Sequence, residues 1–144
     1  MANYNKRKGK EALKGGIQSA VEYLRDKYPS ETFYGFALFT TESAEYVTFT
    51  AFGTNALEET YKSYGKRDES LKWSPADSPY HDECGHFFAR ANALIEQVDI
   101  HQLTEKQYNS YVKRFHTACF EAFRELDEEQ LFGCGGQREA IVLA

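Results

Sequence analysis

The sequence predicts an α+β domain with a small, mainly antiparallel sheet packed against about four helices. Apolar residues recur at helical spacing in four separate segments. Two aromatic and β-branched runs, residues 33–40 and 46–52, are separated by a short polar turn, and this pattern predicts a β-hairpin. A last segment, residues 138–144 (REAIVLA), follows a glycine-rich turn and predicts a strand that joins the hairpin.

Composition predicts one soluble globular domain covering residues 1–144. The chain is 42% hydrophobic and 15% aromatic, which is too apolar for a disordered chain. It holds no apolar run of the ~20 residues that a membrane helix needs. The basic N-terminus has no apolar segment behind it, so no secretory signal is predicted. Three widely spaced cysteines predict reduced thiols in a cytoplasmic protein rather than a disulfide framework.

The charge is unevenly placed along the chain. The net charge is −5, and residues 1–16 carry +4, which leaves −9 for the rest. An acidic body repels the phosphate backbone, so nucleic-acid binding is disfavoured and a basic protein partner is favoured. Residues 1–9 are predicted to form a flexible basic tail. The oligomeric state stays open.

The first helix is predicted within residues 10–28, where an apolar stripe includes Ile17 and Leu24. Gly15 and Gly16 weaken its first turns, so its start is predicted near residue 16. Pro29 ends it. After the hairpin, a second helix is predicted over residues 54–65, capped by the side chain of Thr54 or Asn55 and ended by Gly65.

Residues 71–83, LKWSPADSPYHDE, hold the chain's only tryptophan and two of its three prolines. Ser-Pro-x-Asp has the form of a capped helical turn, and the following Ser-Pro predicts that the third helix starts there and runs to about residue 98. A stiff scaffold is therefore predicted, in which truncation of the tryptophan to alanine costs ~3–5 kcal/mol. The predicted scaffold residues are Trp73, Ser74, Pro75, Asp77 and Pro79.

The longest helix is predicted to start with a capping box formed by Thr104 and Gln107. Its far end is acidic, although the negative end of a helix dipole favours basic residues. This local mismatch suggests that the acids serve another role. Such a run is usually a solvated helix face, and it can also mimic a polyanion or meet a basic partner. The predicted partner-binding residues are the two beside the stiff loop and the four at this helix end: Tyr80, Asp82, Glu125, Asp127, Glu128 and Glu129.

An alternative is a small metal-dependent or Cys/His enzyme centred on His81, Cys84 and His86. Soft ligands lie close together there, and a thiol near a helix start has a lowered pKa. However, the spacing matches no common zinc motif, and nothing marks an oxyanion hole. The sequence therefore predicts no catalytic residues, no metal and no cofactor. Residues 133–138, GCGGQR, lie between a helix and a strand, which predicts a turn rather than a phosphate loop.

Three stretches resemble a bacterial family known as domain of unknown function 4303. They are FYGFALFTTESAEYVTFTAFGTNALEETYKSY, LKWSPADSPYH and LFGCGGQREAIVL, at residues 33–64, 71–81 and 131–143. Where the family suggests a second aromatic soon after Asp77, this chain has Ser78. The resemblance implies a small cytoplasmic α+β protein without assigned catalytic residues. It also implies an immunity protein that binds and neutralises a bacterial toxin, for which a basic toxin domain is the expected partner.

Overall fold

The structure, a computed structural model, describes residues 4–81, 83–129, 131–132 and 140–143. Within them the fold is α+β, as predicted, with four α-helices and three strands. They are α1 (Lys6–Lys27), β1 (Phe33–Thr40), β2 (Val47–Gly53), α2 (Thr54–Tyr64), α3 (Ala89–Glu96), α4 (Glu105–Glu128) and β3 (Ala140–Leu143). No helix in these ranges combines the length and the apolar character needed to cross a membrane.

The sheet has the strand order β2-β1-β3. β1 and β2 form the predicted antiparallel hairpin, and β3 runs parallel to β1 from the Gly35–Ala140 pair to the Leu38–Leu143 pair. At Val47, the outer edge of β2 is covered by the side-chain amide of Asn92. The amide oxygen accepts from the N–H of Val47 at 2.8 Å, and the amide nitrogen donates to the carbonyl of Val47 at 2.9 Å. An edge closed in this way is a poor template for an added strand.

The main core lies between one face of the sheet and helices α1, α3 and α4. Phe49 is stacked between Phe36 and Phe88, with ring centroids 5.9 and 5.8 Å apart. Phe115 of α4 is fully buried in the same core. Interleaved aromatic rings of this kind supply most of the buried apolar area of a small domain.

The opposite face of the sheet carries a smaller cluster formed by Tyr34, Ala37 and Phe52, with Leu57 of α2 packed against it. The loop that follows α2 covers this face through two short 3₁₀ turns, Glu69–Trp73 and Pro75–Asp77. Both faces of the sheet are therefore covered, which explains why both faces of the hairpin carry aromatic side chains.

Two predicted helix starts were wrong. α1 begins at Lys6, where the side chain of Asn5 accepts from Lys8 N–H, and Tyr4 is buried against Tyr111 and Phe115. Residues 4–9 are therefore part of the fold rather than of a flexible tail. α3 begins at Ala89, after the 3₁₀ turn Gly85–Phe88, and not beside Pro79.

Gly16, which was expected only to weaken the helix, packs closely against the ring of Phe88. A Cβ at this position would lie 2.8 Å from the ring of Phe88. The close approach of α1 to that ring therefore requires glycine here, and tertiary contact outweighs the low helix propensity of the residue.

Candidate functional site

An open cleft of about 640 Å³ lies at the end of the hairpin where β1 starts and β2 ends. Its walls are the segment between α1 and β1, the exposed side of α2, and the loop that ends in Tyr80. The lining residues are Tyr28, Glu31, Asn55, Ala56, Glu59, Thr60, Ser63, Asp77, Ser78, Pro79 and Tyr80. Three of these are carboxylates and none is basic.

Glu31 lies at the centre of the hydrogen bonds in this cleft. Its carboxylate accepts from the backbone N–H groups of Asn55 at 2.8 Å and Ala56 at 3.1 Å, which begin α2. It also accepts from its neighbour Thr32 N–H at 2.9 Å. The predicted cap by Thr54 or Asn55 was wrong, since the N-cap residue is Gly53 and makes no side-chain cap bond. An acid from a distant segment instead satisfies the unpaired amides and complements the helix dipole.

Gly53 makes room for this carboxylate. A Cβ at position 53 would lie 2.4 Å from the carboxyl carbon of Glu31. Its φ of −120° is ordinary for any residue, so the requirement is for space and not for backbone freedom. The glycine that ends β2 thus allows an acid to reach the start of α2.

Tyr80, one of the predicted partner-binding residues, is buried and forms the floor of the cleft. It is only 6% exposed, and its ring packs edge-on against Tyr28 and Phe33. Its hydroxyl donates to Glu31 Oε2 at 2.6 Å. Burial, followed by the bond to Glu31, raises the pKa of the phenol, so it stays protonated as a donor. Asp82, predicted beside it, lies outside the described residues.

Asp77 is held in place from two directions. Ser74 Oγ donates to one carboxylate oxygen and Tyr64 Oη to the other, each at 2.6 Å. These bonds favour the ionised form and lower the pKa of Asp77. The turn Pro75–Asp77 forms as predicted, with proline in its first position. However, Ser74 bonds to the carboxylate and not to the backbone of the turn.

Ser78 ties the loop to the sheet. Its hydroxyl donates to the carbonyl of Ala51 on β2 at 2.6 Å and accepts from Tyr80 N–H at 3.2 Å. The Ser-Pro pattern predicts a helix cap for this serine, but the bond to Ala51 joins the loop to the edge of β2. The cleft wall is therefore fixed to α2 through Asp77 and to the sheet through Ser78.

Trp73 covers the second face of the sheet and is 38% exposed. Its indole packs edge-on against Tyr34 and Phe52, at centroid distances of 5.2 and 5.5 Å. A Cβ at Gly35 would lie 2.7 Å from the indole, so the strand glycine gives the ring its seat. Tyr34 donates its hydroxyl to the carbonyl of Lys72 at 2.7 Å. Trp73 is consequently both a packing group and a surface group.

The residues of the alternative enzyme hypothesis occupy separate environments. His81 Nδ1 shares a 2.7 Å hydrogen bond with the buried Thr50, and His86 packs on the ring of Phe87. Cys84 is fully buried, and burial raises the pKa of its thiol to about 12. A thiol that is protonated at neutral pH is a poor nucleophile. Within the described residues, no group of three or more His, Cys, Asp or Glu side chains is arranged to hold a metal ion.

The acidic end of α4 faces the basic start of α1. Glu125 lies 2.9 Å from Lys10 Nζ and 3.2 Å from Lys14 Nζ, and these bonds lower the pKa of its carboxyl. The same pattern continues at both ends, since Lys6 pairs with Glu121 at 3.2 Å and Lys14 with Glu129 at 3.6 Å. We call these six residues the α1–α4 ladder. The pairs advance together along both helices, so the two helices run parallel.

The ladder gives an internal role to two of the predicted partner-binding acids, Glu125 and Glu129. Glu128 lies on the solvent side of α4, 4.0 Å from Arg124, and Asp127 is half-buried on the same turn. These acids belong to the α1–α4 side of the molecule, whereas Tyr80 belongs to the cleft. The structure thus divides the predicted residues between two places.

Three residues that shape the cleft, Glu31, Gly53 and Glu59, are not among those predicted from the sequence. Glu31 follows Pro29 in what looks like a linker, and no local pattern marks it as the cap of a helix 24 residues away. Glu59 is a helix residue whose side chain is 75% exposed. Only the return of α2 to the start of β1 places these acids side by side.

The family described as "Domain of unknown function (DUF4303)" matches residues 13–144. No curated protein matches the sequence. No solved structure matches it either.

Proposed function

This chain belongs to the DUF4303 family, and from that premise we propose that it is a non-enzymatic, cytoplasmic protein-binding module that neutralises a bacterial toxin domain. The observation that carries the proposal is the cleft lined by three carboxylates and no basic residue. Such a surface attracts a cationic side chain of a partner and speeds the encounter with a basic domain.

The cleft is organised before a partner arrives. Glu31 and Asp77 are held by hydrogen bonds from backbone amides and hydroxyl groups, so little side-chain freedom is lost on binding. Each oxygen of Asp77 keeps a second lone pair, which allows an incoming arginine or lysine to bond there. Tyr64 is 54% exposed and stands beside Asp77, where it offers an aromatic contact.

The same bonds argue against general acid–base chemistry in the cleft. Glu31 is occupied as a helix cap, and the pKa of Tyr80 is raised, which makes its phenol a weaker acid. The buried Cys84 lies apart from this surface and is protonated at neutral pH. These groups fit a fixed binding surface better than a reaction centre.

The proposal is tested by charge reversal within one turn of α2. Glu59 lines the cleft and its neighbour Glu58 does not. Both are exposed and each has one basic partner, Lys62 at 3.3 Å for Glu59 and Arg67 at 2.8 Å for Glu58. The tagged chain, Glu59→Lys and the matched control Glu58→Lys are each isolated from the natural host and analysed by native mass spectrometry. We expect one stoichiometric protein partner with the wild type and with Glu58→Lys, and a loss of affinity of about tenfold or more with Glu59→Lys.

The recovered partner is then assayed alone and with the chain added. The proposal requires that the chain suppress the partner's activity, and that His81→Ala and Cys84→Ala leave suppression intact. Reversal of both Glu128 and Glu129 to lysine separately tests the predicted contact at the end of α4.

Equal partner binding by Glu59→Lys and wild type would contradict the role of the cleft. A zinc-loaded chain with its own activity, lost in His81→Ala, would favour the enzyme alternative.

A further inference from the structure

A second concave surface lies at the other end of the hairpin, where β1 ends and β2 begins. It is a groove of about 440 Å³ between these strand ends and α4. Its lining residues are Leu38, Thr40, Val47, Phe115, His116, Thr117, Cys119 and Phe120, and we call it the α4 groove. The eight residues of β1 place it ~26 Å from the acidic cleft.

The floor of the α4 groove is apolar and closely tied to the core. Leu38, Val47, Phe115 and Cys119 are all buried. The two hydroxyl groups of the lining already donate to backbone carbonyls, Thr40 to Tyr46 at 2.7 Å and Thr117 to Lys113 at 2.8 Å. The groove therefore offers its occupant apolar contact inside, with few uncommitted polar groups.

Phe120 forms the wall and is 60% exposed, more than any other large hydrophobic side chain in the described part of the chain. It lies on the solvent side of α4 and so contributes little to the core. An exposed phenylalanine beside an apolar pocket is the arrangement in which binding hot spots occur.

Lys113 and Arg124 lie along α4 on either side of Phe120, and Lys106 lies two turns before Lys113. Lys106, Lys113 and Arg124 are spaced by seven and eleven residues, which brings them onto one line along the exposed side of α4. Among the described residues, neither lysine forms an ion pair, and Arg124 meets only Glu128, at 4.0 Å. The lysines of α1 differ, because Lys6, Lys10 and Lys14 are already neutralised in the α1–α4 ladder.

We propose that the α4 groove binds an acidic segment of a partner protein, which inserts one apolar side chain beside Phe120 and places carboxylates against Lys113 and Arg124. The charge of the rim selects an anionic partner. The apolar floor selects an apolar side chain rather than a phosphate group, because a charge buried there would lack hydrogen-bond partners. This partner chemistry is opposite to that of the acidic cleft. The inference therefore does not rest on the proposed function.

The test uses synthetic peptides and the full chain. The probes are 12-residue peptides in which a single Trp, Phe or Leu is centred among Asp and Glu. Controls carry Ala at the centre, or Lys in place of the acids. Binding is followed by amide chemical shifts of isotopically labelled protein and by fluorescence anisotropy. We expect saturable shifts centred on residues 113–124, and no binding of either control peptide.

Variants separate the two parts of the site. Phe120→Ala and Lys113→Glu should each weaken binding by about tenfold or more, whereas Lys66→Glu, an exposed lysine after α2, should leave it unchanged. Glu59→Lys, which tests the cleft, should also leave it unchanged. Because Phe120 and Lys113 are exposed, these variants should fold, and thermal unfolding checks this.

Three results would overturn the proposal. The first is an absence of shifts at residues 113–124 with every probe at millimolar concentration. The second is equal binding of a single-stranded oligonucleotide that survives Phe120→Ala, which would identify a phosphate-binding strip. The third is self-association, detected by sedimentation, that Phe120→Ala abolishes, which would show that a second copy fills the groove.

Discussion

The acidic cleft and the α4 groove lie at opposite ends of one hairpin, and their linings differ in chemical character. In the cleft, polar side chains bond to each other and to the backbone, and Glu31 alone accepts from three amides and a phenol. In the groove, buried apolar side chains form the floor, and the exposed Phe120 forms the wall.

Side chains that already hold the fold together are less available to a partner than side chains without such a role. Most acids at the cleft already have a structural task, so a partner there must share bonds with the fold. Phe120, Lys106 and Lys113 have no such task among the described residues. Substitutions in the cleft should therefore change stability and binding together, whereas substitutions at the groove wall should change binding alone.

The largest expected effect concerns the two buried thiols, one in the groove floor and one outside both sites. Burial raises the pKa of Cys84 and of Cys119 to about 12. In a Cys134→Ser background at pH 8, both should react with iodoacetamide about a thousandfold more slowly in the native protein than in urea. Mass spectrometry of the labelled peptides measures each rate.

The raised pKa values of the two thiols also predict that the free energy of unfolding falls at alkaline pH. Since each folded pKa lies above the ordinary value of 9.0, the stabilising contribution is present below pH 9 and is lost as the pH rises from 9 to about 12. If Cys119 reacts faster than Cys84, the groove floor opens. Fast native labelling of Cys84 at pH 8 would instead revive the thiol-enzyme hypothesis.

The floor and wall of the groove should differ sharply in stability. Phe115→Ala removes a fully buried ring and should cost about 3–5 kcal/mol of unfolding free energy. Phe120→Ala, five residues along the same helix, should change it by less than about 0.5 kcal/mol. Urea unfolding of both variants gives the comparison. A large loss in Phe120→Ala would mean that its ring packs into the core and is not a docking group.

Trp73→Ala should have an intermediate effect of about 2 kcal/mol, because part of the indole is exposed and less area is lost than at a buried site. This value is smaller than the one expected from the sequence. The matched control is Tyr46→Ala. Tyr46 is about as exposed as Trp73, but among the described residues it packs against no other aromatic ring, whereas Trp73 packs against two, so its loss should be nearly neutral. Equal stabilities of the two variants in urea would show that Trp73 contributes no packing.

The next smaller loss of stability is expected when Glu31 no longer caps the start of α2. Glu31→Ala leaves the first amides of α2 without their acceptor and should cost about 1–2 kcal/mol, as the loss of an N-cap does. Gly53→Ala should act through the same contact, since its Cβ would displace the carboxylate. In the double variant, the two losses should therefore not add. Additive losses in thermal unfolding would disprove the shared mechanism.

The smallest effect is expected at the α1–α4 ladder, whose charges stay in contact with water. Lys10→Met and Glu125→Gln should each cause a small loss of stability that disappears in 1 M salt, because exposed ion pairs are screened. A double-mutant cycle at low and high salt isolates the pair. A coupling that is unchanged by salt would show that the ladder is not electrostatic in origin.

Local patterns in the sequence determined the kinds of element. Apolar spacing predicted α4, and the Thr104–Gln107 capping box that starts it is present in the structure. Aromatic runs around a polar turn predicted the hairpin, and Gly65 ends α2 in the left-handed conformation with a φ of 74°. These features depend on residues within one or two turns of each other, so the sequence alone carries them.

Tertiary structure alone decided which charged and aromatic groups meet. The basic start of α1 and the acidic end of α4 are unexplained features of the sequence when each is considered alone. In the structure they form the α1–α4 ladder, in which Lys6 and Glu121 are 115 residues apart in sequence. Glu31 caps α2 from a distant segment, and Gly35 leaves the space in which the indole of Trp73 packs. Such contacts leave no local trace, because the partners are brought together only when distant segments pack. The cleft and the α4 groove are both products of that packing.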